Sequence, residues 1–387
     1  MKRIASIDIV RGLVMVIMVL DHTRDFLHIT ALTQSPTDLQ TTTGAIFLTR
    51  WITHLCAPIF VFLSGASAYI SLAKSADVAQ SRKFLLKRGL WLIFLEFTII
   101  NFGIWFDIYF HVLMQQVICA IGFGLISLSI ISRLPSRWIA VVGISIVAGH
   151  NLLSGAQFMP GIIPEELWAI FLQVKLIAIT PNFSFLVAYP LIPWLGIMLC
   201  GFACGTIFER SAEERQKIFV RLGVGLVIFF AVLRLVNMYG DPAPWHGQSS
   251  PLFTVLSFIN VTKSPPSLLF TSAMLGIMFL LLAAVEKKKN TATNILAIYG
   301  SVPLFYYVLH WYVLRIVVLA IIVARGYSLT DIRFEMMAFG LPKNWIGLEL
   351  PAVYFFWIMV VALLYPLCRW YGVYKQNHRE NILVRYI

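Results

Sequence analysis

The sequence predicts an all-α, polytopic integral membrane protein, and three observations carry that prediction. The chain is 59% hydrophobic and only 12% charged, with a mean hydropathy of +0.82; a soluble domain carries roughly 25% charged residues. Apolar runs near the ~20 residues that cross a bilayer core as helix recur from end to end. The short alternating segments of a transmembrane β-barrel are absent from the pattern.

The apolar runs give about ten spans: 7–29, 47–73, 84–103, 111–132, 136–153, 186–208, 218–238, 266–285, 295–324 and 350–372. The first is uninterrupted apolar sequence between Arg11 and Asp21. The second holds Pro58, predicted to bend it because proline has no N–H for the helical ladder. Its run SGASA (64–68) suits close helix packing. Glu96 in the third span, and Gln115 and Gln116 in the fourth, are polar groups at membrane depth that need partners. Gly196, Gly201 and Gly205 read as packing positions in the sixth, with Cys200 and Cys204 as apolar filler. Pro265 and Pro266 break the chain at the mouth of the eighth. The ninth carries Pro303, His310 and Arg315. A further stretch, ELWAIFLQVKLIAI (166–179), is short and contains Lys175. It reads as an interfacial or re-entrant helix, with an eleventh span as the alternative.

Charge sets the orientation. With the amino terminus inside, about twenty of the 30 Lys and Arg fall on alternate, inner segments. They include Lys2, Arg3, the clusters within 74–88, 210–221 and 287–289, and Arg369, Lys375, Arg379 and Arg385. That asymmetry places both termini in the cytoplasm. The +12 net charge then faces an anionic leaflet and calls for no nucleic acid. The outer segments 29–46, 154–185, 239–265 and 325–349 are longer, rich in Pro, Gly, Ser and Thr, and suited to roofing a site. His22, His28, His54, His111, His150 and His246 lie at outer ends of spans or beyond them; His310 is mid-span and His378 cytoplasmic. No signal peptide, internal repeat or separate soluble domain is evident, so residues 1–387 read as one domain. The five Cys sit in apolar spans and indicate neither a disulfide framework nor a metal site.

The first span is the most informative. A helix rises about 1.5 Å and turns about 100° per residue, so eleven residues make about three turns and ~16 Å. Arg11 and His22 therefore share a face, one near each end. Asp8 lies one turn before Arg11 and can pair with it. Asp21, Asp25 and His28 fall at i, i+4, i+7, and Asp25 lies one turn from His22. A carboxylate beside an imidazole fixes its tautomer and raises its basicity, which suits a general base. Arg50 and His54, one turn apart at the outer end of the second span, can meet the Asp21/His22 end of the first. His310 is a further candidate to face this cluster, and a satisfied core histidine is the alternative. Charges in hydrocarbon are rarely kept without a use.

Five segments, SIDIVRGLVMVIMVLDH, HLCAPIFVFLSGASAY, YPLIPWLGIMLCGFACG, KSPPSLLF and YGSVPLFYYVLH, together resemble the bacterial relatives of heparan-α-glucosaminide N-acetyltransferase, in its membrane catalytic domain. They run in order from Ser6 to about His310. The Arg-to-His spacing of the first span also resembles the wider group of membrane acyltransferases. The resemblance implies a cytoplasmic acetyl-CoA (acyl-CoA) donor, a sugar or glycan acceptor on the outer side, and an essential His near the end of the first helix. Arg11 and His22 match the Arg-to-His motif. The heparan enzyme places an Asn where His22 stands and its essential His further into the loop, where His28 is the nearest candidate.

The expectation is thus an acyltransferase in a bacterial inner membrane, with the bilayer and acyl-CoA as partners and a homodimer left open. Arg11 would hold CoA phosphates. His22, oriented by Asp21 or Asp25, would act as base, or His28 would carry the acyl group. Arg50 or His54 would stabilise the oxyanion. A proton-coupled transporter is the rival, since membrane carboxylates and His also build proton relays, but no inverted repeat supports it. A haem or metal site formed by His22, His54 and His310 fits the Asp and Arg neighbours less well.

Overall fold

A computed structural model of the chain describes residues 4–153, 164–334, 338, 340–378, 380–381, 384 and 386. Lys2, Arg3, Arg379 and Arg385, and parts of the segments 154–185 and 325–349, lie outside the described residues. The structure is 71% helix. Among the described residues six helical segments are long and apolar enough to cross a membrane.

The first expected span is one helix, α1 (Ala5–Leu27). Its five charged side chains keep it outside that set of six. The second span is two helices, α2 (Gly44–Thr53) and α3 (Cys56–Ala73). Pro58 accounts for the break: without an N–H it leaves the carbonyl of His54 with no helical donor, and α2 ends there. The third runs through α4 (Val78–Leu95), a π-helical turn (Glu96–Ile100) and α5 (Asn101–Trp105). Strand β1 (Val112–Gln115), α6 (Val117–Ile131) and α7 (Ser136–Leu153) follow.

Next come α8 (Glu165–Leu172), β2 (Lys175–Thr180), β3 (Phe183–Val187) and α9 (Leu191–Cys204). Beyond α9 lie α10 (Ala212–Val236), α11 (Pro251–Ile259) and α12 (Leu268–Val285). The ninth span is again two helices, α13 (Thr291–Ser301) and α14 (Pro303–Ala324), parted at Pro303. Strands β4 (Ile332–Arg333) and β5 (Leu341–Pro342) precede α15 (Leu350–Asn377).

Two expectations need correction. The fold is not purely helical, because β3 pairs parallel with β1 and antiparallel with β2, and β4 pairs with β5. Residues 166–179 are not one helix either: α8 ends at Leu172 and the rest is β2, its Lys175 paired with Glu165 at 2.6 Å. Apolarity alone does not separate a short helix from a strand. The alternating, β-branched residues from Val174 to Thr180 were the strand signal.

Helix α1 is the axis of the molecule and packs against α2, α3, α12, α13, α14 and α15. It reaches α13 through facing glycines. A Cβ on Gly12 would lie 1.9 Å from the Leu296 carbonyl oxygen, and one on Gly300 1.9 Å from that of Asp8. Small residues substitute for the hydrophobic drive that lipid cannot supply, so backbones approach closely. Four of the five charges of α1, on Asp8, Arg11, Asp21 and Arg24, are therefore largely enclosed by protein, while Asp25 near the end of the helix stays partly exposed.

Candidate active site

Near the amino-terminal end of α1, Arg11 Nη2 donates to Ser67 Oγ at 3.0 Å and pairs with Asp8 at 3.9 Å. Arg11 lines a cavity of about 280 Å³ between α1, α3, α4, α6 and α14. Ser64, Ser67 and Ser71 lie on its α3 wall at helical spacing, with Arg88 of α4 and Tyr307 of α14 across from them. Arg88 was not a sequence candidate. It belongs to a basic cluster that reads only as positive-inside charge.

The cavity wall leads on to the imidazoles. Tyr307 meets His310 edge-on with ring centroids 5.3 Å apart, and His310 lies 5.3 Å from His22. The His22 ring rests on Trp311 at 4.0 Å. His310 is fully buried, and among the described residues neither of its ring nitrogens has a side-chain hydrogen-bond partner. His22 is half-buried, so the residue toward which the track leads still has open space beside it.

The carboxylates do something other than expected. Asp21 is paired with Arg50 and, at 2.9 Å, with Arg24, while Arg24 also holds Asp25. No hydrogen bond joins Asp21 or Asp25 to His22 among the described residues. The reason is helical geometry, which turns Asp21 about 100° away from His22, and competition, since a guanidinium outbids a neutral ring for a carboxylate. Arg50 thus reaches the carboxyl-terminal end of α1, as its position suggested, but as the partner of Asp21. His54 caps α2, is buried, and presents its ring edge to Phe270 at 5.6 Å. His28 lies elsewhere. Six residues put it about 120° round from His22, and its Nδ1 accepts the Thr30 N–H at 3.2 Å and contacts Thr30 Oγ1 at 2.9 Å. Burial, and then Arg24, lower its pKa.

The polar residues at depth have found partners. Glu96 accepts the Cys119 N–H at 2.9 Å, and Gln115 donates to the Tyr189 carbonyl at 2.9 Å. Tyr307 Oη lies 3.4 Å from Gln116 Oε1.

Three further residues escaped sequence reasoning: Lys263, Arg234 and Asp241. The Lys263 ammonium lies 5.8 Å from the Tyr189 ring centre, within the electrostatic reach of Asp21, Arg50, His22 and His54. Arg234, buried, spreads its guanidinium over the carbonyls of Ser257, Phe258, Asn260 and Ala243 at 2.6–3.1 Å. Asp241 accepts from Thr262 N–H at 2.8 Å and Ser267 Oγ at 2.6 Å, gripping both sides of Lys263. Lys263 opens KSPPSLLF, one of the five segments that carry the family resemblance, but there the run reads as a chain break and not as a site.

Apolar helices around an axial helix with enclosed charge define an integral membrane protein with a polar interior. Residues 3–234 match the family model described as heparan-alpha-glucosaminide N-acetyltransferase, catalytic. That is more than half of the chain, and the chain belongs to this family. The family is one of transmembrane acetyltransferases. No curated protein matches the chain. The matched stretch covers α1 to α10 and stops short of Lys263, His310 and Trp311. Among the described residues no group of three or more His, Cys, Asp or Glu is placed to hold a metal ion.

Proposed function

We propose that the protein transfers an acetyl group from acetyl-CoA, bound at the cytoplasmic face, to a sugar amine or hydroxyl on the outer side of a bacterial inner membrane. In this reading the chain crosses the bilayer about ten times with both termini cytoplasmic, as its Lys and Arg distribution requires. The observation that carries it is the run of side chains from the Arg11 cavity through Tyr307 and His310 to His22. A cavity with cations at one end, and packed rings leading from it to an imidazole, match a phosphate-bearing donor whose thioester lies at the far end of a narrow arm.

Arg11 and Arg88 hold the phosphates at the inner mouth, where guanidinium forks suit phosphate oxygens. The three α3 serines offer hydroxyls to the amide arm. His22 takes the proton from the acceptor as its nitrogen or oxygen attacks the thioester carbon. Arg50 or His54 stabilises the resulting oxyanion. The C–S bond then breaks, and the proton on His22 returns to the leaving thiolate. His22 is favoured over His28 as base because its ring makes no hydrogen bond among the described residues, whereas His28 Nδ1 is taken by Thr30. Asp21 serves to neutralise Arg50 and Arg24 rather than to orient the base.

The test is acetyl transfer in proteoliposomes, with labelled acetyl-CoA on one side and glucosamine on the other. Labelled N-acetylglucosamine is expected only when the donor faces the inner mouth. Proton-coupled glucosamine uptake without CoA, and no labelled product, would favour a transporter instead.

A further inference from the structure

We propose that Lys263 is an anion-contacting residue of the acetyl-transfer site, held there by Arg234 and Asp241. The proposal rests on the acetyltransferase reading above and concerns a residue beyond the matched residues 3–234, in the KSPPSLLF segment to which no role has been given. Among the described residues the charged cluster at the carboxyl-terminal end of α1 contains two carboxylates, Asp21 and Asp25, and two guanidinium groups, Arg24 and Arg50, that are already paired with them. Lys263 is therefore surplus positive charge. Among the described residues its ammonium donates no hydrogen bond and joins no ion pair; its ring contact is the Tyr189 face at 5.8 Å. A half-buried cation without a counter-ion is costly unless something that visits the site supplies the negative charge.

The chain invests heavily in placing it there. Asp241, almost wholly enclosed, spends its oxygens on Thr262, Ser267 and Ala243, all in or beside the loop that carries Lys263. Arg234 stands 4.0 Å from Asp241 and ties down the end of α11, from which that loop departs. The groups that face Lys263 are Asp21, His22 and Asp25 from α1, Arg50 from α2, His54 and Cys56 at the α2–α3 break, and Tyr189. Burial and then the Arg50 charge push the Lys263 pKa down to about 8, so the ammonium is within a small pH step of losing its charge. The anion is either the oxyanion that develops at the thioester carbon or an acidic group fixed on the acceptor.

The experiment uses proteoliposomes, acetyl-CoA, and two acceptor probes, glucosamine and glucosamine 6-sulfate. Lys263→Met and Lys263→Gln are compared with Lys263→Arg, after thermal unfolding and gel filtration establish that each folds. If the anion is the developing one, both neutral variants lower kcat about a hundredfold with either sugar. If it belongs to the acceptor, they raise KM for the sulfated sugar roughly tenfold or more and spare plain glucosamine. In either case the wild-type rate falls above about pH 8, and Lys263→Arg carries activity to higher pH. Asp241→Asn, a positioning variant, shifts that alkaline limb as well as the rate.

Folded neutral variants within twofold of wild type in both kcat and KM overturn the proposal. So does an alkaline limb that Lys263→Arg leaves in place. A wild-type protein that transfers no acetyl group to either sugar defeats the acetyltransferase reading itself, which separates the two failures.

Discussion

His22 lies on the face of Trp311, with ring centroids 4.0 Å apart and planes tilted by 40°. This contact joins the outer end of α1 to the middle of α14, almost 290 residues later in the chain. It fixes the ring in the chamber without using either of its nitrogens, which leaves both for chemistry. Trp311→Ala should therefore act on His22 by loosening it. The expected result is a lower kcat with nearly unchanged KM for acetyl-CoA, read from initial rates in proteoliposomes.

Replacing the imidazole itself is the more severe change. General-base catalysis contributes about 10²–10⁴ in rate, so His22→Ala should lower acetyl transfer by at least about a hundredfold. His28→Ala, whose ring is tied to Thr30, should cost far less. Both substitutions leaving transfer from labelled acetyl-CoA intact would falsify the mechanism.

Arg11→Ala should behave as a binding variant. A charge-assisted hydrogen bond is worth about 1.5–3 kcal/mol, or roughly a tenfold to hundredfold change in affinity. The expected signature is a raised KM for acetyl-CoA with little change in kcat, and a similar effect from Arg88→Ala on the facing wall. Equal loss with acetyl-CoA and with a short acetyl thioester that lacks the nucleotide would count against phosphate contact.

Asp21→Asn tests the ion network. The change leaves Arg50 without its carboxylate partner and Arg24 with one, Asp25. Breaking a buried pair by removing one partner costs about 3–5 kcal/mol. A fall in Tm of several degrees is expected in detergent, partly recovered when Arg50→Met removes the orphaned charge. Loss of stability that the second substitution worsens would show that Arg50 serves another partner.

The histidine at the end of α1 gives a pH prediction. His28 has its folded pKa lowered by burial and by Arg24, so the folded state resists a proton that the unfolded chain accepts near pH 6.5. Stability is then fully present above that pH and declines as the pH falls from it toward the folded pKa. Tm measured between pH 7.5 and 5 should drop, and His28→Gln should flatten the drop.

Parts of this protein could be read along the chain because they are local. Three turns of helix between Arg11 and His22 put both on one face whatever surrounds them. Pro58 broke its span for want of an N–H. The meeting of Arg50 with Asp21 was also foreseeable, since both lie at helix ends joined by a single loop. The sheet was not, because the fourth span read as one apolar helix with Gln115 and Gln116 inside it, while Val112–Gln115 pairs with a strand some 70 residues on.

The sequence by itself thus determined the membrane class, the placing of most helices and the stripe along α1, all consequences of hydropathy and a fixed helical period. Only the tertiary structure decided which side chains meet that stripe. His310 and Trp311 face His22, Arg88 shares the Arg11 cavity, and Asp241 ties down the loop that carries Lys263 through Thr262 and Ser267. The physical reason is that lipid-exposed and helix-facing surfaces are equally apolar, so hydropathy carries almost no information about which helices pair. That choice is made by facing glycines such as Gly12 and Gly300 and by buried polar contacts between residues far apart in the chain.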